Sequence, residues 1–189
     1  MLSERTSEKP KGIAISGLPV SGKSTLARML ADQFHLPVRS LGGLWRERWA
    51  KQYPNGEVSF EEYWRGTTVE DNLRINQEAK AEFESGNVIA DSRFVSYLDI
   101  NRVVRIFVDA DLEIRAQRAS TRADYSGKPI EEIRRILRDR EQDELKMGRT
   151  LFKVDYRDRK LYHLVLNSGR MTPEQEMISV MALLEMRRD

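Results

Sequence analysis

Gly17-Leu18-Pro19-Val20-Ser21-Gly22-Lys23-Ser24-Thr25 is the stretch that decides how this chain is read. Its fixed positions follow the spacing G-x-x-x-x-G-K-[ST], in which backbone N–H groups wrap around an anionic phosphate tail. Gly17 and Gly22 stand where a side chain would obstruct that wrap, and glycine takes the required dihedrals without strain. Lys23 is the expected point charge on the outer phosphates, and the Ser24 hydroxyl the expected ligand of a magnesium ion bridging them. All nine residues from Gly17 to Thr25 are therefore candidate contacts of a bound polyphosphate.

The flanks supply the setting this loop needs. Ile13-Ala14-Ile15-Ser16 is a short apolar run of the kind a buried parallel strand shows. Behind the loop, Ala27, Leu30, Ala31 and Phe34 recur at helical spacing, which predicts an amphipathic helix with its positive N-terminal end aimed at the phosphates.

Composition narrows the class. A chain of 189 residues fits one compact domain. With no cysteine there is no disulfide and no thiolate metal site, and with only His35 and His163 beside it a structural zinc is not expected. Lysine and arginine number 32 against 30 acidic residues, so bulk charge points to neither nucleic acid nor a membrane surface as partner. No apolar stretch approaches transmembrane length, and the polar segment Met1 to Gly12 reads as a frayed tail, not a signal peptide or anchor.

Strand and helix signals then alternate along the chain. Leu36 to Leu41 predicts a second strand, and Gly42-Gly43 a turn into a segment whose Leu44, Trp45 and Trp49 form an apolar face with Arg46 beside it. Pro54-Asn55-Gly56 signals a turn, and Ser59 to Glu62 and Thr68 to Asp71 read as capped helix starts, the second helix burying Ile75, Ala79 and Phe83 and ending at Gly86-Asn87. Val88 to Asp91 is the third strand; it ends on a carboxylate at the edge where open parallel sheets bind ligands, with Arg93 two residues on. Val103 to Asp109 is the fourth strand, followed by a helix burying Leu112, Ala116 and Ala119 and carrying Arg115, Arg118 and Arg122 as one basic stripe. A loop at 123–129 leads to a highly charged helix over 131–146 with only Ile133 and Leu137 as apolar side, a segment with little face to bury and so free to swing Arg134, Arg138, Arg140 and Arg149 towards phosphate. His163 to Asn167 is the fifth strand, with His163 an edge residue outside any site. Thr172-Pro173-Glu174-Gln175 caps a last helix that buries Met177, Val180, Met181 and Leu184. This alternation implies a parallel sheet with helices on both faces and ligands at the strands' C-terminal ends.

With these residues located, the chain resembles the P-loop nucleoside monophosphate kinases, and among them the cytidylate kinase family. The resemblance rests on the phosphate loop, Ser40-Leu41-Gly42-Gly43-Leu44-Trp45-Arg46, Val88 to Arg93, Val108 to Asp111 with Glu113 to Arg118, Arg138-Asp139-Arg140-Glu141, and Tyr162 to Asn167 with Thr172-Pro173-Glu174. Gly43 stands where the family usually has Asp, Leu145 and Met147 where lid arginines or lysines often occur, and Asn167 where Asp is common.

The resemblance implies an α/β fold of the P-loop NTPase type, a five-stranded parallel sheet with helices on both faces and a helical lid. It implies one kinase domain over 1–189, with core 12–116 and 160–189, an acceptor-binding helical segment at about 42–86 and a lid at about 117–150. ATP with Mg would be the phosphoryl donor and CMP or dCMP the first-choice acceptor. Ser40, Arg46, Asp91 and Arg93 would bind the acceptor, while Lys23, Arg118, Arg122 and Arg140 would neutralise the transferring group. Small-molecule nucleotides are the expected partners, with no nucleic acid or membrane, in the cytoplasm; the oligomeric state stays open. A kinase of a shikimate-like or gluconate-like acceptor shares the loop, and so does a nucleotide-binding switch, although no N-K-x-D motif accompanies it here.

Overall fold

Every strand of the sheet runs in the same direction. The computed structural model describes residues 12–99 and 102–187, so the polar N-terminal tail lies outside the described residues. The elements are β1 (Ile13–Gly17), α1 (Lys23–Phe34), β2 (Val38–Ser40), α2 (Leu41–Gln52), α3 (Phe60–Arg65), α4 (Val69–Glu84), β3 (Ile89–Asp91), β4 (Val104–Asp109), α5 (Leu112–Ser120), α6 (Ile130–Phe152), β5 (Leu164–Asn167) and α7 (Pro173–Met186). The sheet order is β2-β3-β1-β4-β5. Register lines up Ser40 with Asp91, Ile15 with Asp91, Gly17 with Val108 and Asp109 with Asn167, so the chemistry-bearing residues at the strand ends share one edge.

Alternation along each strand splits the core. Ile13, Ile15, Ile89, Ile106 and Val108 face α1 and α7, meeting Leu26, Leu30, Val180 and Leu184. Ala14 and Ala90 face the other way, against Ala79 and Phe83 of α4. Met177 and Met181 of α7 pack on the first of these clusters, as their spacing predicts. Ser59, Thr68 and Thr172 each form a reciprocal capping box with the residue three positions on.

Two sequence expectations change. Gly42-Gly43 is not a turn but the first turn of α2: Ser40 caps the helix, its hydroxyl accepting from the Gly43 N–H at 2.9 Å. What holds these glycines helical is the burial of Trp45 against Tyr63 and Trp64, which outweighs the backbone entropy that glycine loses in a helix. The charged helix also buries more than Ile133 and Leu137, because α6 extends to Phe152 and adds Leu145 and Gly148. It packs with α5 through Val20, Ala116, Ala119 and Tyr125, and on β4 through Leu145, Phe107 and Tyr156.

α7 also buries a carboxyl group. Glu176, in its first turn, is only 4% exposed, and burial pushes its pKa up to about 7 against the opposing pull of Arg118. A folded-state pKa raised above the ordinary 4.5 means that this group's contribution to stability is fully present below pH 4.5 and is lost as pH rises through about 7, where the buried group ionises. After allowance for solvent screening the loss is about 1–2 kcal/mol. Glu176→Gln is therefore expected to raise the melting temperature over the parent chain by about 2–8 °C at pH 8 and to leave it unchanged at pH 4.5, as read by calorimetry. An equal shift at both pH values would refute ionisation as the cause.

Candidate active site

β1 delivers the chain to a loop held open by backbone geometry. Gly22 has φ +98°, which favours glycine, and it precedes the first helical residue, Lys23. Gly17 is needed for a reason the motif alone does not disclose: a methyl group there would collide with the Val108 carbonyl oxygen of the neighbouring strand. Val20 takes φ +62°, a costly conformation for a β-branched residue, and it is held there by its burial in the α5–α6 cluster.

Lys23 and Ser24 begin α1 and converge on the end of β3. The Lys23 ammonium donates to Asp91 Oδ1 at 2.8 Å and the Ser24 hydroxyl to Asp91 Oδ2 at 2.6 Å. Asp91 is 8% exposed. Burial pulls the Lys23 pKa below the usual lysine range; the Asp91 carboxylate works against that, while Arg93 and Arg140 deepen the depression. The Ser24 hydroxyl and Asp91 carboxylate together form an oxygen-only pair suited to a hard divalent cation. Among the described residues no three His, Cys, Asp or Glu side chains gather into a cation site. The donor set thus fits a magnesium ion that takes its remaining ligands from phosphate and water.

A cleft of about 740 Å³ opens from this cluster. Lys23, Ser24, Ser40, Arg46, Asp91, Arg93 and Arg140 all line it. Arg46 also rests over the Phe60 ring, 4.9 Å from its centroid, and donates to the Gly42 carbonyl at 3.3 Å. Arg93 is ion-paired to Glu144, and burial pulls its pKa down against that carboxylate, yet a guanidinium stays charged at neutral pH. Asp139, Asp143, Glu144 and Met147 of α6 form much of the opposite wall.

The basic stripe read on α5 divides. Arg115 is 3% exposed and does not face the cleft: Nε donates to the Ala110 carbonyl at 2.8 Å, Nη1 to the Pro19 carbonyl at 3.2 Å, and Nη1 lies 2.5 Å from Glu141. Arg118 donates to Ser168 Oγ at 2.8 Å and to the Ser168 carbonyl at 2.7 Å, and Ser168 in turn donates to the Ser21 carbonyl at 2.6 Å. It braces the back of the phosphate loop and is not part of the cleft wall. Arg122 is exposed and lines no part of the cleft. His163 accepts from the Arg105 N–H at 2.9 Å, a satisfied edge residue as its position predicts.

The model of the family described as "Cytidylate kinase-like family" matches residues 39–170. The chain belongs to the cytidylate kinase-like family. It is 32% identical over 183 residues to a cytidylate kinase of Methanopyrus kandleri, covering 89% of this chain and 90% of the relative. It is 32% identical to one from Pyrobaculum islandicum, with 85% of each chain covered. A solved structure of an uncharacterized protein from Eubacterium ventriosum superposes with TM-score 0.69 at 15% identity, covering 93% of this chain and 98% of that one. Shikimate kinase from Bacteroides thetaiotaomicron does so with TM-score 0.57 at 18% identity, covering 92% and 97%. At those identities the structures attest the fold, and the family places the chain among nucleoside monophosphate kinases. No helix among the described residues is long and apolar enough to cross a membrane.

Within the cytidylate kinase-like chain, sequence reasoning missed Glu141 and Glu144. They stand one helical turn apart on α6 and hold Arg115 and Arg93 respectively. The available signal was the i,i+4 spacing of Arg140 and Glu144, which are joined at 3.0 Å.

Proposed function

We propose that this kinase transfers the γ-phosphoryl group of ATP to CMP or dCMP in the cytoplasm. The observation that carries the reading is that one cleft holds both the Lys23–Ser24–Asp91 cluster at the phosphate loop and the guanidinium groups of Arg46, Arg93 and Arg140. The first group suits a polyphosphate tail. The second suits an anionic acceptor, since planar guanidinium forks bind phosphate oxygens in pairs. The cytidylate kinases among the relatives support the choice of base.

The phosphate-loop amides from Gly17 to Thr25 and the Lys23 ammonium hold the donor's phosphates, with Ser24 and Asp91 holding magnesium or its water shell. A bound magnesium ion would supply positive charge that offsets the negative charge of the phosphate tail. Ser40, Arg46 and Arg93 orient the acceptor, and Arg140 offsets charge on the transferring group. Arg118 acts through the loop it braces; Arg122 receives no role. The acceptor phosphate is already an anion, so no general base is required, and positioning with electrostatics carries the reaction. α2 to α4 form the acceptor side and the 117–150 segment the lid over a core of 12–116 and 160–189.

The test is an initial-rate comparison with MgATP and CMP, dCMP, UMP, AMP, GMP, shikimate and gluconate in turn. CMP or dCMP is expected to give the highest kcat/KM. A preference for shikimate or gluconate would transfer the chain to the other reading, and no acceptor-stimulated ADP release would refute kinase action on any of them.

A further inference from the structure

Arg93 and Arg140 reach the cleft from opposite walls. Arg93 follows β3 in a 3-10 turn, whereas Arg140 sits on α6. One carboxylate joins them: Glu144 Oε2 pairs with Arg93 Nε, and Glu144 Oε1 accepts from Arg140 Nε at 3.0 Å. The Arg140 contact is a hydrogen bond through Nε, whereas the Arg93 contact is an ion pair without hydrogen-bond geometry. Among the described residues the Nη groups of Arg93 have no other partner.

We infer that Glu144 is a positioning residue, a shared carboxylate that holds two guanidinium groups apart from each other and aims their terminal amino groups at the anion being bound and transferred. Two guanidinium groups facing one cleft repel, and a carboxylate between them offsets that repulsion while its hydrogen bond orients the Arg140 plane. The opposite reading is a latch, in which Glu144 occupies the acceptor's place and must leave. Its surroundings favour a fixed post. The Glu144 side chain is 15% exposed at the cleft wall, and α6 is anchored around it by buried Leu137, Leu145 and Gly148, so its backbone is held in place while the carboxylate meets both arginines. It also engages the Nε edges, which leaves the Nη edge of Arg93 for phosphate.

The inference rests on the phosphoryl-transfer reading above, and steady-state kinetics with MgATP and CMP separates the two. The parent chain must form a nucleoside diphosphate; if it forms none with CMP or dCMP, both the acceptor assignment and this inference fall. With an active parent, Glu144→Gln is expected to lower kcat about 10–100-fold and to raise KM for CMP several-fold, because misaimed guanidinium groups lose the oriented geometry. KM for ATP is expected to change less than about twofold, since Glu144 touches none of the phosphate loop. Glu144→Asp, which keeps the charge, is expected to recover part of the loss. In an Arg93→Ala background, Glu144→Gln is expected to cost markedly less than in the parent. A lower KM for CMP with kcat unchanged or raised would make Glu144 a latch and overturn the inference. Equal rises in KM for both substrates, or undiminished losses in the Arg93→Ala background, would overturn it too, by showing a general structural role.

Discussion

Lys23→Ala is expected to lower kcat by at least about 10²–10³-fold, the loss typical of removing one preorganised charge or donor from a developing anion. Lys23 stands at the start of α1 directly after the phosphate loop, joined to Asp91 at 2.8 Å with its side chain 14% exposed. Bulk water cannot take its place there. Asp91 keeps the Ser24 hydroxyl at 2.6 Å but loses its cation, so a lowered melting temperature is expected as well, and rates are compared at a temperature where both proteins are folded. Single-turnover rates with saturating MgATP and CMP check this. A rate within about threefold of the parent would show that the ammonium takes no part in the transition state.

The largest stability effect is expected at Arg115. Arg115→Met removes a buried guanidinium that serves the Ala110 and Pro19 carbonyls and faces Glu141. Glu141 is then left as a nearly buried charge without its counter-ion, and loss of one partner of such a pair costs about 3–5 kcal/mol. The midpoint of urea denaturation should fall accordingly. Combining Arg115→Met with Glu141→Leu is expected to recover more than half of the loss, because an apolar pair in the same volume has no desolvation penalty. Failure of the double variant to recover would mean that the Pro19 and Ala110 carbonyl bonds, not the ion pair, carry the stability.

Arg115 also marks where the sequence stopped being readable. The spacing that grouped it with Arg118 and Arg122 equally places it between Leu112 and Ala119, on the face α5 buries. Periodicity cannot choose between those faces without knowing that a carboxylate on a later helix waits underneath. The same holds for α6: its apolar residues are diluted by Glu141 and Glu144, which look like solvated charges until β3 and α5 bring Arg93 and Arg115 against them. Local signals were read correctly where the cause is local. The phosphate loop, the caps at Ser59, Thr68 and Thr172, the strand ending on Asp91 and the α7 stripe depend on residues within a few positions of each other. The Gly42-Gly43 pair misled because turn propensity was weighed without the Trp45 burial that holds α2 in place. At the site, Lys23, Ser24, Asp91, Arg46, Arg93 and Arg140 line one cleft, while Arg118 and Arg122 stay outside it.

The cleft is expected to pass a phosphoryl group from nucleotide to nucleotide and to keep it from water. Phosphorus NMR of the protein with MgATP and CMP tests this in one tube. The expected spectrum shows ADP and CDP growing in equal amounts with inorganic phosphate at the level of a protein-free control. ADP accompanied by equal inorganic phosphate, with no CDP, would make the protein a hydrolase of ATP and contradict the account.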